Sequence, residues 1–201
     1  DDLMLYAGQV AAKIQFIPEI ALTAGAAGYA FQNVEGYDVL DWESKNNAYG
    51  NSTMNGTVSG GTTNKAWNTE YTPVVYFAQL DLWVMGKPLA LFVQELSNVE
   101  ADDLDKGHLY GLSLGKAKNP RTWELGYSYA ELEKDGTLGM LTDSDRWGGG
   151  TDGKSHRVYG KYQIMKNVQA GATYLFGEKK ISDATKTTDY DRLQVDLSVN
   201  F

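Results

Sequence analysis

The chain has 201 residues, 42% of them apolar, with 22 glycines, 13 tyrosines, 4 prolines and no cysteine; this length suits one sizeable core or one closed sheet, and the cysteine count excludes a disulfide scaffold or a thiolate metal site. A formal net charge of -8 argues against a nucleic-acid partner, which needs a basic stripe. No run approaches the roughly 18–20 apolar residues of a membrane-crossing helix, and the mean hydropathy of -0.40 fits either a soluble protein or a membrane β-barrel, whose lipid-facing and water-facing residues average out.

Period-2 alternation begins at once. Residues 3–16 set Met4, Tyr6, Val10, Ala12, Ile14 and Phe16 against Ala7, Gln9, Lys13 and Gln15. After "IPE", residues 20–32 carry Ile20, Leu22, Ala24 and Ala26, then Tyr29 and Phe31, which predicts a register slip or bulge near Gly25–Gly28. Residues 33–70 read as one long polar loop. Segment 71–84 places Val74, Tyr76, Ala78, Leu80 and Leu82 on one side, with Gln79, Asp81 and Trp83 on the other. "MGKP" turns into 89–95, and "LSNVEADDLDKG" reads as a loop.

Segments 108–116 and 122–132 follow, joined by "AKNPR"; then comes a glycine-rich loop at 133–154. Segment 156–165, the turn "MKN", segment 168–176 and the loop "GEKKISDATKTTD" lead to the closing "DRLQVDLSVNF". Nine strands of about nine to fourteen residues result, with connections alternating short and long and no helical period. Strand length, dyad pattern and loop alternation together predict an antiparallel transmembrane β-barrel with short turns at one rim and long loops at the other.

Several motifs admit a chemical reading and a plainer one. "GGGTDGKS" (148–155) matches the phosphate-loop pattern, yet no buried strand precedes it and no helix follows, so it reads as a flexible outer loop. Asp143 and Asp145, with Asp152, are weak metal candidates, because neither EF-hand spacing nor a closing glutamate is present. His108 and His156 have no nucleophile pairing legible in sequence, so no residue is assigned catalysis. Asn51 and Asn55 open glycosylation sequons, which matter only in a eukaryotic secretory setting.

Lys13, Asp81, Glu124, Arg157, Lys161, Arg192 and Asp196 point away from the apolar side in the assigned registers. They are the candidate pore-lining residues, since rings of mixed charge set ion preference in pores. The closing strand sets Leu193, Val195, Leu197, Val199 and Phe201 against Arg192, Gln194, Asp196, Ser198 and Asn200. Its final aromatic ring suits a membrane–water boundary.

The ending "YDRLQVDLSVNF", the loop "LTDSDRWGGGTDGK" and the strand pair "RVYGKYQIMKNVQAGATYLF" resemble the bacterial putative-porin family. The resemblance implies a bacterial outer-membrane barrel of about sixteen strands, within the range such barrels span. It also implies that Leu193, Val195, Leu197, Val199 and Phe201 form the signal read by the barrel assembly machinery. Outer-membrane lipid and small hydrophilic solutes are the expected partners, a homo-oligomer remains open, and no cofactor is implied.

Counting nine strands back from Phe201 puts the first residue at the outer rim, which predicts that residues 1–201 are the C-terminal part of a longer barrel domain. No leader-like segment opens the chain, so a cytosolic protein or a mature or trimmed product is expected. The favoured function is a water-filled channel for passive diffusion; a non-conducting anchor for a partner, or a soluble lipocalin-like barrel, are the alternatives.

Overall fold

The computed structural model describes residues 2–39, 47–59 and 62–200. Among these residues eleven strands form: β1 (Met4–Ile17), β2 (Ile20–Gln32), β3 (Thr53–Ser59), β4 (Thr62–Trp67), β5 (Pro73–Val84), β6 (Lys87–Asn98), β7 (Lys106–Gly115), β8 (Trp123–Leu132), β9 (Gly153–Met165), β10 (Val168–Lys179) and β11 (Thr188–Val199). Nine make one sheet in the order β1-β2-β5-β6-β7-β8-β9-β10-β11, and β3 and β4 pair as a separate hairpin. Every pairing between these strands is antiparallel. One turn of 3-10 helix, Gly139–Leu141, is the only helix among the described residues.

The registers sort side chains into two faces, because successive residues of a strand point to opposite sides. One row runs Ile14, Leu22, Leu80, Leu91, Leu112, Tyr127, Val158, Tyr174, Leu193, and every member is apolar or aromatic. The adjacent row on the other face runs Lys13, Thr23, Gln79, Phe92, Gly111, Ser128, Arg157, Leu175, Arg192. Among the described residues no second layer covers the apolar face: Val10 is 73% exposed, Leu193 68% and Val195 77%.

Four sequence expectations need correction. The β1–β2 and β2–β5 registers run unbroken through Gly25–Gly28, and the irregularity lies instead between Gln15 and Ile17. Tyr29 and Phe31 therefore stand on the polar face, where Phe31 is buried in a cluster with Val34, Val39, Trp67, Tyr71 and Leu138. An apolar pair on the polar face had imitated a slip.

Segment 33–70 is not all loop, since it holds the β3–β4 hairpin, with bridges from Glu35 to Trp67 and Asp38 to Ala66. The loop expected at "LSNVEADDLDKG" shrinks to 99–105, the same length as the connection 116–122. Strand direction, rather than loop length alone, distinguishes the two ends there. Finally, "GKS" of the phosphate-loop lookalike opens β9, and its neighbours Trp147, Thr151 and Asp152 are buried, so this segment is pinned rather than free. The apolar cluster sits at the end of the sheet that bears the long connections, over the polar face.

Candidate functional site

All seven charged residues singled out from sequence stand on the polar face, and the structure shows how they are held. Lys13 lies 3.8 Å from Asp81 across β1, β2 and β5, and the Gln79 amide donates to Asp81 at 2.7 Å. Glu124 accepts from the Tyr159 hydroxyl at 3.0 Å and lies 4.0 Å from Lys161. Arg157 and Lys161 flank the Tyr159 ring at 5.1 and 5.3 Å from its centre. Arg192 reaches out of β11 to Asp145 at 2.9 Å. Asp196 shares a register row with Gly171, Lys161 and Glu124. These pairs are half-exposed, so each contributes little to stability; their effect is to hold both signs of charge along one wall.

Glycines make room for rings on this face. Phe77 lies over Gly25, Phe92 over Gly111 and Tyr159 over Gly126, each its direct cross-strand partner. A Cβ at any of the three glycines would overlap the ring. The aromatic side chains therefore lie down along the sheet instead of standing out from it.

Above the wall, two long connections are clasped together. Asn51, buried on the segment before β3, donates through Nδ2 to the carbonyls of Lys134 and Thr137, both at 2.8 Å. Its Oδ1 accepts from the Gly139 N–H at 2.8 Å. Asp135, also buried, accepts from the Ser52 N–H at 2.9 Å and the Tyr71 hydroxyl at 3.0 Å. Burial first, then the neighbouring Asp135 carboxylate, pushes the Tyr71 hydroxyl well above the ordinary phenol range, so it stays a donor.

Asn98 ties β6 into the same knot, donating to the carbonyls of Asp135 and Glu70 at 2.9 and 3.1 Å. The Thr151 N–H donates to the Tyr49 carbonyl at 2.8 Å, an approach open only because Gly150 beside it has no Cβ and takes φ +86°. The β2–β5 and β8–β9 connections thus meet across the intervening strands β5 to β8. Trp67, 1% exposed, and Leu138 fill the core beneath them.

Arg146, in the second of these connections, is a polar-face residue that periodicity missed. Its guanidinium donates to Ser128 at 2.8 Å and Ser155 at 3.1 Å, both on the polar face. Its setting in an aperiodic loop hid it, and Ser155 was hidden with it, since the motif 148–155 read as an outer loop rather than as the start of β9. Burial weakens its hold on the proton, Asp143 at 3.9 Å opposes that and Arg157 adds to it.

Asp143 and Asp145 therefore face arginines, and among the described residues no three His, Asp or Glu side chains gather as a metal set. Leu193, Val195, Leu197 and Val199 share the apolar face, whereas Phe201 lies outside the described residues.

The histidines stand on the apolar face near the loop-bearing end. His108 contacts Glu95, and His156 accepts or donates one hydrogen bond with the Tyr127 hydroxyl at 2.8 Å. A continuous file of rings runs Tyr110, Tyr129, His156, Phe176, Tyr174 with centres 4.8–5.4 Å apart. Beyond it the same face turns ionic, with Lys154 3.0 Å from Glu178.

Comparison with known proteins shows that the family model described as "Putative porin" matches residues 44–201. No curated protein matches, and no solved structure does. No helix among the described residues is long and apolar enough to cross a membrane, which says nothing of strands.

Proposed function

The chain belongs to the putative-porin family, and from that premise we propose that its nine-stranded sheet is part of the wall of a bacterial outer-membrane channel for passive diffusion of small hydrophilic solutes and ions. The observation that carries this reading is the pair of adjacent register rows, one wholly apolar and uncovered, the other mostly polar with three positive charges, its Phe92 lying over a glycine and its Leu175 buried. Hydrocarbon solvates the first without specific contacts, and water solvates the second. The file of aromatic rings, followed by ionic residues, marks where the lipid-facing band gives way to headgroups. Seven charged side chains then line the lumen, and the clasped connections narrow it at the loop-bearing end. Selection is by size and charge, with no catalytic residue and no cofactor.

The sheet is not closed among the described residues: β1 and β11 do not pair, and both run from the loop-bearing end to the turn-bearing end. Direct closure would make a parallel seam. In the proposed channel an odd number of further strands completes an even-stranded antiparallel barrel. An intact mass above 22.1 kDa for protein extracted from the membrane supports this, and a species of only that mass contradicts it.

Recordings in planar bilayers test the channel itself. Stepwise currents in salt solution are expected. Folded, inserted protein that gives none would overturn the channel and favour a clasped, non-conducting anchor.

A further inference from the structure

Beneath the β8–β9 connection the polar face holds a cavity of about 230 Å³. Its walls are Leu96 of β6, Leu109 of β7, and Ala130 and Leu132 of β8; Trp147 and Arg146 cover it from the loop. Gln94, Thr142 and the half-exposed carboxylate of Asp143 add polar edges, and His108 and Glu131 contribute only backbone, since their side chains belong to the other face.

An apolar hollow of this kind commonly stays dry and takes up compact hydrocarbons; about 150 Å³ suffices for benzene. Here one wall is a cation. Arg146 is 9% exposed, and its guanidinium has five N–H donors and cannot shed its charge at any ordinary pH.

Two of those donors reach the neutral hydroxyls of Ser128 and Ser155. The carboxylate that approaches it, Asp143, is 3.9 Å from Nε and more than half exposed. Arg157 shares the register row of Ser128 and adds a second positive charge against that single screened carboxylate. A buried cation with spare donors is stabilised by an anion of matching geometry, and a planar carboxylate meets a guanidinium with two parallel hydrogen bonds.

We propose that this cavity binds a small monocarboxylate with a compact apolar body, its carboxylate on Arg146 and its ring or branched chain against Leu96, Leu109, Leu132 and Trp147. The inference deepens the channel reading by naming a solute class, and rests on that reading only for the idea that the solute then passes through. Ser128 and Ser155 take one donor from each terminal nitrogen of the guanidinium, which leaves one on each for the ligand. A neutral amide of the same shape fits the walls but lacks the charge, so it binds about tenfold more weakly.

The test uses the detergent-solubilised full chain, its folding verified by heat-modifiable mobility, titrated with para-fluorobenzoate and para-fluorobenzamide and followed by fluorine NMR. Saturable binding of the acid, with the amide about tenfold weaker, is expected. Arg146→Gln brings the acid down to the level of the amide. Ala130→Leu, which fills the cavity without touching Arg146, weakens both probes and serves if the arginine variant does not fold. Equal binding of acid and amide, no saturation by either, or an acid preference that survives Arg146→Gln would overturn the site.

Conductance of the same preparation is recorded separately. Currents without benzoate binding overturn this site and leave the channel; binding without currents does the reverse.

Discussion

The two faces of the sheet come from the same nine strands, yet their side chains meet very different neighbours. On the polar face, charged groups are drawn sideways into pairs such as Lys13–Asp81 and Lys161–Glu124, rings lie over glycines, and two long connections are buttoned down by Asn51 and Asp135. On the apolar face Leu193, Val195 and Leu197 stand exposed with nothing bonded to them. Polar groups near a wall need fixed partners, whereas a fluid apolar solvent satisfies leucine in any orientation. The comparison therefore teaches that the protein itself organises the polar face along its length, and the apolar face only near the loop-bearing end, where the rings and the Lys154–Glu178 pair stand.

The most forceful way to break that contrast is to empty the core under the clasp. Trp67→Ala removes a fully buried ring and is expected to cost about 3–5 kcal/mol. Loss of the Tyr49–Thr151 and Asn51–Thr137 contacts should follow, with the sheet intact. Limited proteolysis checks this: new cleavage within 133–152 with unchanged heat-modifiable mobility is the expected pattern, and a protected loop would contradict the clasp.

Adjacent residues of β7 offer a sharper comparison. Leu112→Arg puts a cation in the apolar row and is expected to cost about 2–4 kcal/mol near a bilayer midplane. Ser113→Arg, one residue on and facing the other way, should fold and insert nearly as the parent does. Refolding titrations into lipid vesicles measure both, and equal penalties would remove the distinction between the faces.

Asn51→Ala tests the polar knot more gently. It leaves the Gly139 N–H without its acceptor and two carbonyls without their donor, for an expected loss of about 1–3 kcal/mol. Greater protease access at 133–139 reports it, whereas behaviour like the parent would show the knot to be dispensable.

The smallest effect concerns the β3–β4 hairpin. The Thr57 hydroxyl, the Thr57 N–H and the Asn64 amide, in that order, hold the Asp38 carboxyl below its ordinary 3.8. A depressed folded value means the stabilisation is complete above 3.8 and disappears as pH falls through the lower folded value. Amide exchange at Thr57 should quicken over that interval, and Asp38→Asn should flatten the dependence.

Alternation made the nine sheet strands legible, because a strand with two different solvents must repeat every second residue. It failed where side chains answer to something other than those solvents. Tyr29 and Phe31 are apolar on the polar face because Trp67, Tyr71 and Leu138 cover that part of the wall. β3 and β4, rich in Thr, Asn and Gly, carry no apolar period and looked like loop.

Arg146 was invisible because its partners, Ser128 and Ser155, are brought to it only by the folding of an aperiodic segment. The seven charged positions were readable for the opposite reason, each sitting on a regular strand, with Lys13, Asp81, Glu124 and Asp196 directly between apolar neighbours.

Since the chain has no cysteine, single-cysteine scanning of β11 asks the central question most directly. Arg192→Cys, Gln194→Cys and Asp196→Cys should react in membranes with a charged, water-borne thiol reagent. Leu193→Cys, Val195→Cys and Leu197→Cys should resist it and react instead with a lipid-soluble maleimide. Strict alternation between the two reagents along the strand is the predicted result; water-borne labelling of both sets alike would contradict the account.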